Sequence, residues 1–355
     1  MRVIRPASLF GVALFVFVFV SAFRGNIHAQ TRVNARIVAD VELVQIPVIV
    51  FDEKGAVAAD LKKSDFRVTE DGAEQRILSC ERDREPVSFV VLADVSSSMR
   101  RKIPFVQEAA LSLLDPNADQ GPYHDEFSFF GIESRVKRLS PFTTDQEDLE
   151  HRLPQLIEAT NGSTALFDGL YAGVRTAQRE AENKRRAIIV ISDGGDNHSR
   201  YNLRETRKLL EEADIPVFAV MAGPWIALSD IFPMPQRKPV RIQGRVAQAV
   251  SSKGDYIGPA ERRGPHNLKV LTEVTGGGVF TAHQLEDLPR IVQTIGNAVR
   301  YRYVLTYRPN DEHAANTRSS GEPTNWHKIR VELAPKDKFE GYGMPYYKRG
   351  YFRDR

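Results

Sequence analysis

Apolar and polar positions along the chain fall into three regimes. From about 36 to 86 the pattern is that of strands. Residues 41–51 are rich in β-branched side chains, and Pro47 within them predicts an edge strand or a bulge. Lys54-Gly55 marks a turn. Residues 66–70 and 74–78 flank Asp71-Gly72-Ala73, a short hairpin loop with a glycine available for positive φ. From 87 to 299 the pattern becomes strand–helix alternation, which predicts a doubly wound, mostly parallel α/β sheet. Strands are predicted at 87–92, 126–132, 136–142, 187–191, 217–221 and 279–280. Helices are predicted at 106–114, 149–157, 165–180, 203–213, 268–274 and 288–299, with Gly276-Gly277-Gly278 stopping the fifth. After 300 the chain reads as β again, at 301–307, 328–333 and 346–352.

These regimes divide the chain into an N-terminal β segment (31–86), an α/β domain (87–299) and a C-terminal β segment (300–355). The two β segments are expected to pair with each other, as a small sheet or sandwich at the base of the α/β domain. Residues 224–265 show no clear period and are broken by Pro233, Pro235, Pro239 and Pro259, so they read as a long inserted loop. Asn310 to Thr324 is a polar stretch that reads as a flexible loop.

The first 30 residues read as a targeting segment. Arg2 and Arg5 precede an apolar run over 9–23, the length of a signal-peptide core and short for a spanning helix. Small residues at Val20-Ser21-Ala22 and Ile27-His28-Ala29 offer cleavage contexts; an uncleaved membrane anchor is the alternative. No cysteine lies near the end of the run, which argues against a lipid anchor there. The expected location is outside the cytoplasm: periplasm, cell envelope or secreted.

Composition changes this picture little. Hydrophobic content of 42% with 27% charged residues is ordinary globular usage, and a net charge of +3 is too mild to imply nucleic acid. The single cysteine, Cys80, forms no intrachain disulfide and reads as a small core hydrophobe.

Candidate chemistry lies where predicted strands end. Asp94-Val95-Ser96-Ser97-Ser98 follows the first α/β strand, Gly162-Ser163-Thr164 opens a helix, and Ser192-Asp193-Gly194 follows another strand. An extended exit points Asp94, Ser96 and Ser98 the same way. In an open α/β sheet, ligands bind beyond the carboxyl ends of strands where strand order reverses. Two carboxylates and three hydroxyls, with no His or Cys among them, suit a hard cation such as Mg²⁺. Each motif alone has a structural reading: Ser98 or Thr164 as a helix cap, and Asp193-Gly194-Gly195-Asp196 as a turn.

The three motifs in this order resemble the metal-ion-dependent adhesion site of von Willebrand factor A (VWA) domains, over about 87–299. That resemblance implies a Rossmann-like fold in which Asp94, Ser96, Ser98, Thr164 and Asp193 hold Mg²⁺, with Mn²⁺ or Ca²⁺ as substitutes. It also implies that a carboxylate from a partner protein fills the open metal position. Leu61, Asp65-Phe66, Glu70-Asp71-Gly72 and Pro86-Val87-Ser88 further resemble the bacterial exported VWFA-related domain proteins. Asp196 reads as supporting the rim or its loop. The insert at 224–265 departs from the family pattern. It carries an excess of Arg and Lys, which would steer an acidic partner if the insert lies on the metal-bearing rim.

No nucleophile elbow, HExxH, Walker A or GxGxxG motif is present, and the eight histidines are scattered. Basic runs such as Arg100-Arg101-Lys102 and Lys184-Arg185-Arg186 read as solvated helix starts or strand flanks. The sequence therefore favours a metal-dependent protein-binding module with no catalytic residues. A metal-dependent hydrolase of phosphate or ester substrates, and a purely structural metal, are the competing readings.

Overall fold

The computed structural model describes residues 43–82, 84–114, 124–158, 160–222, 259–309 and 326–352. The targeting segment, most of the insert and the 310–324 stretch lie outside the described residues. Among the described residues no helix is long and apolar enough to cross a membrane.

The α/β domain is built on a six-stranded sheet. Its strands, numbered along the whole chain, are β5 (Val87–Asp94), β6 (Glu126–Ile132), β7 (Val136–Thr143), β8 (Arg185–Ser192), β9 (Val217–Met221) and β10 (Val279–Thr281). They lie in the order β10-β9-β8-β5-β6-β7. All neighbours are parallel except β6 and β7, which are antiparallel. Every residue of β5 is buried, because helices cover both faces of the sheet and leave no side for polar alternation. Its Phe89, Val91 and Ala93 pack with α1 (Ile103–Ser112), α2 (Gln146–Leu156) and α6 (Leu288–Arg300). Its Val90 and Leu92 pack with α3 (Leu166–Glu180), α4 (Leu203–Ala213) and α5 (Pro259–Glu273). Chain order runs one way from β5 through β6 to β7 and the other way from β8 to β10. The reversal therefore falls between β5 and β8.

The terminal segments form two further sheets, ordered β1-β11-β4 and β13-β12-β2-β3. The first joins β1 (Val44–Val48), β4 (Ile77–Arg82) and β11 (Tyr303–Tyr307). The second joins β2 (Phe66–Glu70), β3 (Ala73–Gln75), β12 (Trp326–Leu333) and β13 (Gly350–Phe352). Ile46, Val48, Tyr303 and Leu305 of the first share one apolar core with Phe66, Val68, Ile329 and Val331 of the second, which makes a small sandwich. Pro47 sits on an edge strand, where its missing N–H costs no ladder bond. Cys80 packs against this core, and burial pushes its thiol up to about 11, the state of an inert thiol.

Three local expectations are corrected. The single strand over 74–78 is split at Arg76, because the chain crosses there from one sheet of the sandwich to the other. The insert does not remain a loop up to Pro265, since α5 starts at Pro259 and runs through Pro265. Proline is favoured in the first helical turn. The cost of the interior Pro265 is met by burying Leu268 and Leu271 against the sheet. Finally, Ser98 does not lie in an extended segment: residues Ser97–Lys102 form a 3₁₀ turn.

Candidate metal centre

Asp94 and Ser192 end adjacent parallel strands at the point where strand order reverses, and the register pairs Ala93 with Ile191 just before them. The Asp94 side chain is fully buried. Its Oδ1 accepts from the Ser96 backbone N–H at 3.0 Å, and its Oδ2 accepts from the Ser192 hydroxyl at 2.6 Å. Burial, reinforced by the neighbouring Asp193 carboxylate, raises the Asp94 pKa to about 6. Ser96 caps the 3₁₀ turn, and that turn brings the Ser96 and Ser98 hydroxyls to 3.2 Å from each other. The predicted proximity is therefore present, but the turn creates it rather than strand alternation.

The second motif is stitched to the first through the backbone. Ser97 donates to the Gly162 carbonyl at 3.1 Å, and the Thr160 N–H donates to the Val95 carbonyl at 2.8 Å. Thr164 is buried and faces the loop after β8. Its N–H donates to Asn197 Oδ1 at 2.9 Å, and its carbonyl accepts from the Asn197 and His198 N–H groups at 3.0 and 3.1 Å. Asp196 supports this loop: its Oδ2 accepts from the Phe167 N–H at 3.0 Å at the start of α3 and from the Ser199 hydroxyl at 2.5 Å. Gly194 has a φ of +87°, which a side chain would strain, and a Cβ there would lie 3.0 Å from Gly264 of α5.

Asp193 is the member left open. It is buried, and its Oδ1 has no hydrogen-bond partner. Its Oδ2 meets the Lys102 ammonium at 3.1 Å. Lys102 is thus mostly buried at the rim rather than a solvated residue of a basic run, which corrects the sequence reading. The signal was its place four residues beyond Ser98, which returns it to the site only if the intervening residues turn. A buried carboxylate oxygen without a donor, beside a second buried carboxylate and the paired Ser96 and Ser98 hydroxyls, fits a hard cation with oxygen ligands.

Among the described residues, one other group could hold a metal: Glu70, Asp71 and His327. It lies in the sandwich, at the β2–β3 turn and on β12, and not at the rim. Its carboxylates are engaged: Glu70 accepts from the Tyr307 and Tyr351 hydroxyls at 2.9 and 3.0 Å, and Asp71 accepts from the Lys328 N–H at 2.8 Å. His327 Nδ1 lies 3.0 Å from Glu70 and 2.9 Å from Asp71. No spacing within its own segment singles out His327, which reaches Asp71 from 256 residues away.

An open, mostly parallel α/β sheet whose strand order reverses beside Asp94 belongs to the doubly wound class. Residues 89–195 match the family described as von Willebrand factor type A domain. The matched span contains Asp94, Ser96, Ser98, Thr164 and Asp193. Similar solved structures include the conserved hypothetical protein BatB from Bacteroides thetaiotaomicron. It is 18% identical, with 60% of this chain and 98% of that one covered and a TM-score of 0.38. A von Willebrand factor type A protein from Catenulispora acidiphila is 9% identical, covering 88% and 74%, with a TM-score of 0.44. Proximal thread matrix protein 1 from the mussel byssus, with a zinc-occupied MIDAS motif, is 15% identical, covering 64% and 49%, with a TM-score of 0.41. No curated protein matches the chain.

Proposed function

We propose that this chain is an exported, metal-dependent protein-binding module whose rim recruits an acidic side chain of a partner protein. The observation that carries the reading is the partnerless, buried Asp193 Oδ1 beside Asp94 at the strand-order reversal. Asp94, Ser96, Ser98, Thr164 and Asp193 would hold the divalent cation, with Mg²⁺ the leading candidate and Mn²⁺ or Ca²⁺ as substitutes. A cation bound there supplies an open coordination position for one further carboxylate. The chain's own groups do the rest. Asp94 is oriented by the Ser96 N–H and the Ser192 hydroxyl, and the 3₁₀ turn holds Ser96 and Ser98 side by side. The reading is binding rather than catalysis, because Asp94 and Asp193 would serve as cation ligands and Asp196 is tied to the Phe167 N–H and the Ser199 hydroxyl, which leaves no separate general base at the rim among the described residues. Location in the envelope or outside the cell is part of the same proposal and rests on the 1–30 sequence.

The test is a calorimetric titration of Mg²⁺ and Mn²⁺ into wild type, Asp94→Ala and Asp193→Ala, followed by partner capture in Mg²⁺ and in EDTA. Saturable binding lost in both variants, with capture lost in EDTA, is the expected outcome. Wild type that binds neither ion would sink the metal site, and capture indifferent to EDTA would sink the metal-bridged partner.

A further inference from the structure

At the opposite end of the sheet from the rim, a cavity of about 860 Å³ opens between the base of the α/β domain and the sandwich. Arg185, which lines it, begins the strand that Ser192 ends, so the two sites are roughly 23 Å apart along β8 at strand rise. The volume lies within the range of small-molecule sites. Five cationic side chains and two carboxylates line the cavity. The carboxylates are already engaged: Glu85 pairs with Arg185 at 2.9 Å, and Asp214 with Lys348 at 2.8 Å. Arg185 is held further by the Val299 and Arg300 carbonyls at 3.1 and 2.7 Å.

Arg302 differs. It is half-buried, and its Nε is buried without a hydrogen-bond partner among the described residues, as are those of Arg185 and Arg186, whose terminal nitrogens are however held by carbonyls or Glu85. Burial and the adjacent Arg185 charge push its pKa down to about 10, still far above neutrality, so the guanidinium stays charged. Glu85 and Asp214 lie near enough to favour that charge, yet the Arg302 Nε–H donates to nothing among the described residues, which leaves a donor for a ligand oxyanion. Around it, Ile46, Val304, Phe218 and Tyr346 provide an apolar wall.

We propose that this cavity binds a small organic anion, a carboxylate or phosphate ester with a compact apolar body, whose oxyanion pairs with Arg302. The site is independent of the rim: no residue is shared, and the proposal stands or falls without the metal. Planar carboxylate and tetrahedral phosphate oxygens both match the guanidinium fork, and the apolar wall excludes a fully hydrated inorganic ion as the preferred occupant.

Phenylacetate, phenyl phosphate and neutral benzyl alcohol are titrated calorimetrically into the full chain and into Arg302→Met and Arg302→Lys. At least one of the two anions is expected to bind wild type saturably with one site, while benzyl alcohol does not. Binding to Arg302→Met should weaken about 10- to 100-fold, the loss of one charge-assisted pair. Arg302→Lys should fall between, since a point charge replaces the fork. Binding of only one anion identifies the head group. If neither anion saturates wild type, or if Arg302→Met binds as wild type does, the proposal is overturned. A far-UV circular dichroism spectrum and a cooperative thermal transition like those of wild type report that Arg302→Met is folded. Should that variant fail to fold, the comparison of wild type with Arg302→Lys carries the same decision.

Discussion

Two pairs of buried or half-buried carboxylates in this protein have opposite fates. In the sandwich, Glu70 and Asp71 are surrounded by donors: two tyrosine hydroxyls, a histidine ring and a backbone N–H. At the α/β rim, Asp94 is held by two donors, while Asp193 keeps one oxygen bare and the other against a lysine ammonium. A saturated cluster fastens strands together and has nothing left to offer a ligand. An under-saturated one retains the capacity to bind. Composition does not separate the two clusters; the tally of donors does.

The largest effect that sharpens this contrast is expected at Glu70. Glu70→Ala removes the acceptor of the fully buried Tyr307 hydroxyl and should cost about 2–4 kcal/mol. That is roughly 6–12 °C in Tm by calorimetry. A loss under a degree would put the sandwich cluster on the same footing as the rim. Next comes metal linkage. At Mg²⁺ about 100-fold above Kd, the wild type should gain about 2.7 kcal/mol, some 5–10 °C. Asp94→Ala and Asp193→Ala should show no gain, and a more conservative Glu70→Gln should keep it. An unchanged Tm in wild type with and without EDTA removes the rim from consideration.

The pH dependence of the metal-free protein follows from Asp94. Its folded pKa of about 6 lies above the ordinary carboxylate value of 3.8, so the folded state binds the extra proton between those values. The contribution is fully present below pH ~4 and is lost as pH rises through ~6, amounting to about 2–3 kcal/mol at most. The stability difference between wild type and Asp94→Asn, followed by denaturant titration from pH 4 to 8 in EDTA, should grow against the wild type over that window. A flat difference contradicts the buried, anion-flanked environment. Smallest is the effect at Lys102. Lys102→Met removes the ammonium that competes for Asp193 and should tighten Mg²⁺ binding by about three- to tenfold. Weaker binding would mean that Lys102 supports the cation rather than opposing it.

Strong periodicity made much of the fold legible. Strand 126–132 and strand 217–221 fall at the predicted residues, as does helix 203–213, which opens with an Asn202–Glu205 capping box. The candidate site was legible as three motifs because acids and hydroxyls at strand ends are a local signal. What was not legible depends on the chain turning back on itself. The 3₁₀ turn after Ser96 carries Lys102 to Asp193, 91 residues away. The sandwich cluster joins Asp71 to His327 across 256 residues, which no spacing within either segment announces. The first part of helix α5, 259–267, was hidden because prolines were read as breaks, although one of them stands at the helix start; its remainder falls in the predicted 268–274 helix.

The sandwich also has a mechanical meaning. Strands from both sides of the α/β domain close on each other at its base, while the rim lies at the far ends of β5 and β8. A force applied between the rim and the base would run along those parallel strands. The ladder between β5 and β8 is then loaded in shear, so its hydrogen bonds resist together instead of unzipping one at a time.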